Sequence, residues 1–267
     1  MPDHLSVERL SAHLTQVTLQ RPQVRNAFNP ELVAELTGTF LKIADDPELR
    51  GVIMAAEGPA FCAGADLNWM QDMAHFTWEQ NQADALALAR MLHTIYTCPV
   101  PLVGRIQGDC YGGGVGLAAV CDVLVAAEGV QFCLSEARLG LVPATISPYV
   151  ILAMGLPAAR RYFLTAERFS AAQAQAMGWV AEVCTLETLD AGVNKIIEAI
   201  LANGPQSTRA CKRLIQTVMG RPLGETLITE TAALIADIRC SPEGQEGIQS
   251  FLQKRRPHWV EGGSCKT

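Results

Sequence analysis

The sequence has little positive charge gathered in one place. Its only dense basic run is Lys254-Arg255-Arg256, and the formal net charge is -6. A phosphate backbone is bound through clustered Lys and Arg, so nucleic acid is not an expected partner. Taken alone, the basic triplet reads as a solvated helix end. No apolar run reaches membrane-spanning length. The start, MPDHLSVERL, lacks the basic-then-apolar pattern of a secretory leader. The ending SCKT is neither a prenylation box nor a peroxisomal address. Nine cysteines are spread without CxxC spacing or histidine partners, which argues against a disulfide scaffold and for a reducing compartment. The expectation is a cytoplasmic protein. His4, His13, His75, His93 and His258 show neither HxxxH nor triad-like spacing, and metal-ligand spacing is absent. His93, beside Leu92 on a helical pattern, reads as structural. The GxxxxGKS/T lysine is missing, and no GxGxxG follows the first strand.

What is present is apolar. Nearly half of the 267 residues are hydrophobic and 18% are charged, enough to bury a large core and to exclude a disordered chain. Leu14 to Gln20 alternates, with Thr15, Val17 and Leu19 on one side, and predicts a strand ending at Arg21-Pro22. Asn29-Pro30-Glu31 predicts a helix start, with Val33, Leu36, Phe40 and Ile43 on its apolar face. Val52 to Ala56 suits a buried strand. Thr77 and Gln80 form a capping box before a helix whose stripe includes Leu88, Leu92 and Ile95. Pro101 to Ile106, Asp122 to Ala127 and Gln131 to Leu134 read as further strands. Ser170 and Gln173 make a second capping box, with Gly178 as the left-handed stop. Cys110, Cys121 and Cys133 lie in apolar runs as small core residues. Strands alternating with helices argue for parallel pairing. From about Leu186 the pattern is helical, which suggests an α/β core over 1–204 and a helical segment over 205–267, divided near Gly204-Pro205.

Two glycine-bearing turns carry the chemistry. Phe61-Cys62-Ala63-Gly64-Ala65-Asp66-Leu67 follows the Val52 strand. Gly108-Asp109-Cys110-Tyr111-Gly112-Gly113-Gly114-Val115-Gly116-Leu117 follows the Pro101 strand. Small residues let the backbone approach a ligand, and the first N–H groups of a following helix lack internal partners. Either turn alone is equally what packs a helix on a sheet. Two from neighbouring strands could give one donor each to a developing oxyanion. Glu136, at a strand end in apolar surroundings, could have a raised pKa and act as general acid/base. It could equally pair with Arg138 or cap a turn.

Together these residues resemble the crotonase (enoyl-CoA hydratase/isomerase) family over nearly the whole chain. Members place an aromatic-x-Ala/Ser-Gly-Ala/Gly-Asp turn after one strand and a GxxxGGG turn after the next, in the order found here. The resemblance implies a spiral of ββα units with a helical C-terminal trimerisation region, assembled as homotrimers or hexamers. It implies that the N–H groups of Ala65 and Gly113 grip a thioester carbonyl, with Ala63, Asp66, Leu67, Gly112 and Gly116 of the two turns beside the substrate. Arg25 and Ala27, in the RPxxRNA segment, match the stretch beside the CoA adenine and phosphates. Phe251 and Lys254 match an FxxKRxP helix that closes over CoA, often from a neighbouring subunit. Coenzyme A arrives as part of the acyl-CoA substrate, so no separate cofactor is implied. One departure matters. Family hydratases usually carry a glutamate three residues past the central oxyanion glycine; here that residue is Gly116, and Glu136 is the remaining acid.

The stretch from Phe132 to Tyr149, with Ala65 to Met70 and Ala159 to Tyr162, is similar to bacterial 3-methylglutaconyl-CoA hydratases. Isohexenylglutaconyl-CoA hydratases are close relatives of that branch. The resemblance therefore implies hydration of a branched, carboxylated 2-enoyl-CoA. Trp69, Met70 and Tyr111 are candidate acyl-pocket walls, or equally ordinary core residues. A Δ3,Δ2-enoyl-CoA isomerase using one glutamate is the alternative. From another class, an RNA-binding or scaffolding role has a family precedent, but the acidity of the chain argues against it. A catalytically silent member is a further alternative.

Overall fold

The computed structural model describes residues 4–260. Strands β1 (Leu5–Ser11) and β2 (Leu14–Leu19) pair antiparallel, Leu5 opposite Leu19. The alternation in β2 puts Thr15, Val17 and Leu19 inside. Helix α1 (Pro30–Asp45) begins where its signals predict: the Asn29 side chain accepts the Leu32 N–H at 3.0 Å, and Leu32, Val33, Leu36, Phe40 and Ile43 form the buried stripe.

The next segments repeat one plan: a strand of a large sheet, a short strand of a small sheet, then a helix. The first turn of this spiral is β3 (Gly51–Ala56), β4 (Ala60–Cys62), α2 (Leu67–Met73) and α3 (Trp78–Thr97). The second is β5 (Leu102–Ile106), β6 (Asp109–Tyr111) and α4 (Gly113–Ala119). The third is β7 (Val123–Ala127), β8 (Gln131–Cys133), a 3-10 turn at Glu136–Leu139, α5 (Ser147–Met154) and α6 (Leu156–Thr165). Then β9 (Arg168–Ser170), α7 (Ala171–Ala176) and β10 (Glu182–Cys184) lead to α8 (Leu189–Leu201), α9 (Pro205–Val218), α10 (Glu225–Cys240) and α11 (Pro242–Leu252).

The large sheet has the order β1-β2-β3-β5-β7-β10 and the small one β4-β6-β8-β9. Apart from β1 in the large sheet and β9 in the small one, all pairs are parallel. Every residue of β3 is buried, as a parallel strand covered on both faces requires. The spiral expected from the resemblance is therefore the architecture observed. Strands β1, β4, β6, β9 and β10 and helices α5 and α6 were outside the expected elements. Four of those strands have three residues each, too few for any periodicity to show. In α3 the Thr77–Gln80 box forms, but the buried residues are Met91, Leu92 and Ile95, with Leu88 only half-buried. His93 faces solvent and Cys121 is half-buried, whereas Cys110 and Cys133 are core.

The chain divides into two compact units at Ile196/Ile197, inside α8 rather than at Gly204-Pro205. In the first unit an aromatic cluster backs β8. Phe132 stacks on Phe169 at 5.4 Å, Trp179 lies 4.9 Å from Phe132, and Tyr162 lies 4.3 Å from Phe169. In the second, the Glu243 carboxylate of α11 accepts the N–H groups of Gln206 at 2.9 Å and Ser207 at 2.7 Å. It thereby caps the start of α9, where free N–H groups favour an anion. The ending SCKT lies outside the described residues.

Because Phe132 is fully buried within its aromatic cluster, Phe132→Leu should lower the unfolding free energy by about 1–2 kcal/mol. The readout is a lower urea midpoint at unchanged slope. An unchanged midpoint would remove the aromatic cluster from the account of how β8 is held.

Candidate active site

Parallel pairing brings three turns to one edge. Cys62 is level with Cys110, Cys110 with Phe132, and Tyr111 with Cys133, so β4, β6 and β8 end side by side. In parallel sheets the carboxyl ends of strands are where ligands are bound. The turn after β4 holds Ala65, that after β6 holds Gly112 and Gly113, and that after β8 leads to Glu136.

The Ala65 turn is anchored from one side. Ala65 forms an isolated parallel bridge with Phe28. The Phe28 N–H donates to the Gly64 carbonyl at 2.7 Å and the Asp66 N–H to the Phe28 carbonyl at 2.8 Å. In a parallel ladder the residue between two such bonds directs its own N–H to the opposite edge. Gly113 is the first residue of α4, where no helix carbonyl is available to its N–H. Among the described residues, neither the Ala65 nor the Gly113 N–H donates to a protein acceptor. The turns abut: a Cβ built on Gly64 would lie 3.7 Å from the Gly113 nitrogen and 3.0 Å from the Tyr111 carbonyl oxygen. Left-handed φ values of 88° at Gly64 and 49° at Gly112 suit residues without a Cβ. The Phe28 ring supports Gly113 from below, 3.0 Å from where its Cβ would stand.

Glu136 completes the cluster. Its Oε1 lies 3.3 Å from the position a Gly112 Cβ would take, and its buried Oε2 has no hydrogen-bond partner among the described residues. Burial pushes the carboxyl above the ordinary glutamate value, opposed by its own backbone N–H. Arg138 does not neutralise it: the Arg138 guanidinium donates to the Ala166 carbonyl at 2.6 Å. Two uncommitted donors and an unpaired, proton-hungry carboxylate are what stabilisation of an oxyanion and transfer of a proton require.

A cavity of about 450 Å³ adjoins the first turn. It is lined by Arg25, Ala27, Ala63, Ala65, Asp66 and Leu67, all singled out from the sequence, and by Gln23, Val24 and Asn68, which were not. Arg25 and Asn26 both adopt left-handed backbone, with φ of 53° and 54°. Fully buried Asn26 holds that bend: its Oδ1 accepts the Arg21 N–H at 2.8 Å, and its Nδ2 donates to the Glu57 and Ala60 carbonyls at 2.8 and 2.9 Å. Both Asp66 oxygens are taken, one by Arg21 at 2.8 Å and the other by the Asn68 N–H at 3.0 Å. Asp66 thus ties the turn to the Arg21 segment and caps α2.

Other expected residues stand differently. Trp69 is buried, with its indole N–H on Asp84 at 3.0 Å, which ties α2 to α3. The Tyr111 hydroxyl donates to Asp109 at 3.0 Å and its ring lies under Arg168. Its contribution to the turn is its carbonyl. Gly116 is buried against Ile146. Phe251 and Lys254 belong to the second unit, at the end of α11, both exposed. Arg255 of the basic run pairs with Glu246 at 2.6 and 2.7 Å, holding that carboxyl down to about 2. Among the described residues no group of three or more His, Cys, Asp or Glu could hold a metal, and no helix is long and apolar enough to cross a membrane.

The family model described as enoyl-CoA hydratase/isomerase matches residues 9–262. The chain belongs to this family. An enoyl-CoA hydratase structure from Shewanella pealeana is 38% identical with a TM-score of 0.92, covering 96% of each chain. Pseudomonas aeruginosa AtuE is 33% identical with a TM-score of 0.93, covering 97% of this chain and all of its own. Enoyl-CoA hydratase AKT6-1 of Alternaria alternata is 30% identical over 257 residues, 95% of this chain and 83% of that protein. The fold is the crotonase fold, and activity of the enoyl-CoA hydratase/isomerase type on acyl-CoA follows from the family. None of these descriptions names a particular acyl group.

Glu136 ionises at higher pH in the folded chain than in the unfolded one, because burial disfavours its charge. Its contribution to stability is therefore greatest below the ordinary glutamate pKa and is lost as pH rises through the folded value. The stability of Glu136→Gln relative to the parent should accordingly rise between pH 4 and pH 8, measured by urea unfolding at each pH. A difference independent of pH would contradict a buried, unpaired carboxylate.

Proposed function

We propose that this enzyme catalyses the reversible hydration of a branched, carboxylated 2-enoyl-CoA, with 3-methylglutaconyl-CoA as the leading substrate. The observation that carries the reading is the juxtaposition of two uncommitted N–H groups, on Ala65 and Gly113, with the unpaired carboxyl of Glu136. The thioester oxygen sits between the two N–H groups. Glu136 takes a proton from water as the water oxygen bonds to Cβ, and the double-bond electrons move to the thioester as an enolate. Returning a proton to Cα completes the addition. A carboxyl pushed up by burial suits both proton steps near neutral pH, and loss of one oxyanion donor costs about 3 kcal/mol in enzymes of this kind of chemistry.

The choice of acyl group rests on the likeness of Phe132 to Tyr149 to the methylglutaconyl branch. A distal carboxylate on the substrate would help to hold the water that a lone glutamate must otherwise orient. The cavity beside Arg25 and Leu67 is assigned to the CoA moiety; Phe251 and Lys254 match the helix that in the family closes over CoA, often from a neighbouring subunit. The reading includes a cytoplasmic enzyme without a separate cofactor or a nucleic-acid or membrane partner, self-assembled as a homotrimer or hexamer through residues 205–267. Leu223, Ile228 and Phe251 in that helical segment are strongly exposed apolar side chains, of the kind that self-assembly would cover. One observation favours a second reading, Δ3,Δ2-enoyl-CoA isomerisation: Ile146 occupies the space a second acid at position 116 would need, leaving one carboxylate to shuttle a proton between carbons.

The test follows the loss of enoyl-thioester absorbance with 3-methylglutaconyl-CoA and crotonyl-CoA in oxygen-18 water. Fast turnover of the branched acid, label in the product, and a kcat lowered by about 10²–10⁴-fold in Glu136→Gln are expected. Near-full activity of that variant would falsify the role of Glu136. Conversion of a 3-enoyl-CoA without label would establish the isomerase.

A further inference from the structure

Gly116 stands three residues past the Gly113 donor on α4, and another element fills the place of its missing side chain. A Cβ at 116 would lie 2.2 Å from Cγ2 of Ile146 and 2.7 Å from its Cβ, well inside any allowed contact. Ile146 is 2% exposed and sits just before α5, its carbonyl accepting the Tyr149 and Val150 N–H groups at 3.1 Å.

Helix geometry says where that volume lies. Cα–Cβ bonds tilt toward the helix N-terminus, and residues i and i+3 share a face. A side chain at 116 would therefore cover the turn that presents Gly112 and Gly113. The Ile146 methyl groups take its place, while Glu136 lies against Gly112. Glu136 from one element and the apolar Ile146 side chain from another thus both lie against the α4 turn, at Gly112 and at Gly116.

We propose that Ile146 is a specificity-determining residue: it stands in for a side chain at 116, closes the acyl site beside the oxyanion donors, and limits substitution on the carbon next to the thioester. The inference rests on the hydratase reading of the site. With the carbonyl oxygen held at the start of α4, C2 is the first acyl carbon beyond the thioester and the one whose branch the plug is proposed to limit. Trimming Ile146 to Ala vacates room there for a methyl branch; trimming it to Val vacates less.

The experiment compares crotonyl-CoA with tigloyl-CoA, its 2-methyl homologue, on the parent enzyme and on Ile146→Val and Ile146→Ala. The kcat/KM ratio of tigloyl- to crotonyl-CoA should rise about tenfold in Ile146→Ala, the lower range for one methyl in an apolar pocket, and less in Ile146→Val. A residue that only supports the fold would lower both activities together, and an unmoved ratio overturns the proposal. A packing cycle provides a readout that does not depend on turnover. Gly116→Ala should lower Tm, and Gly116→Ala combined with Ile146→Ala should recover part of the loss, a coupling between neighbours. Gly116→Ala as stable as the parent also overturns the proposal. A parent enzyme that hydrates no enoyl-CoA, with the packing cycle as expected, overturns the hydratase reading and the specificity role with it.

Discussion

The site depends on the parallel pairing of three very short strands. β4, β6 and β8 have three residues each, and no such strand is stable by itself. They persist because Phe61, Cys62, Cys110, Phe132 and Cys133 are at most 1% exposed and the large sheet supplies a strand before each of them. Parallel direction is the decisive constraint, since it makes all three strands end at the same edge. Groups far apart in sequence become neighbours there: one N–H from Ala65, one from Gly113, and the carboxyl of Glu136. Antiparallel pairing would send alternate turns to opposite ends and leave no shared site.

The edge so formed is locally costly. Among the described residues, two N–H groups lack acceptors and Glu136 Oε2 is buried without a partner, and Arg25 and Asn26 sit in left-handed backbone. Each such feature is destabilising by about 1–3 kcal/mol. The surrounding bonds offset this by being complete. Asn26 makes three hydrogen bonds from a fully buried amide, and Asp66 uses one oxygen on Arg21 and one on the Asn68 N–H. A buried ion pair is weak evidence of net stability by itself. Here it matters because Arg21 also donates to the Ala27 carbonyl, joining the Arg21–Ala27 bend to the Ala65 turn. That bend and turn together line the cavity next to the Ala65 N–H.

What could be read from the sequence follows from what leaves a periodic trace. The Asn29 cap, the Thr77–Gln80 box and the alternation of β2 are local rules, and each is met by its predicted partner. The spiral itself came from family resemblance rather than from periodicity, because strands of three residues are too short to alternate. The two glycine turns were visible as small residues after apolar runs, although their contact depends on the register between β4 and β6. Gln23, Val24 and Asn68 carry no chemical flag and line the cavity through backbone position alone. Ile146 falls within the Phe132 to Tyr149 stretch with no chemical flag of its own, since its partner Gly116 lies on another element and only the folded chain shows them in contact. Tyr111 and Trp69 gave ambiguous signals, and the structure places their polar atoms on Asp109 and Asp84.

Hydration and isomerisation both pass through a thioester enolate, a 3-hydroxy enolate in the first and a dienolate in the second, so the proposed oxyanion donors on Ala65 and Gly113 do not choose between them. The choice lies with what faces Glu136. Hydration needs a water held in line with Cβ, and a water molecule is well fixed only when two or more polar partners hold it. Around α4 the side that could have offered a second partner is filled by the methyl groups of Ile146, which leaves Glu136 as the fixed polar contact. An apolar enoyl chain would therefore meet a loosely held water, and proton shuttling between carbons would compete well. A substrate that carries its own carboxylate changes that balance, because it brings the missing acceptor into the site with it. The apolar plug and the polarity of the proposed substrate are in this sense complementary, and a one-carboxylate site favours a carboxylated acyl group for hydration.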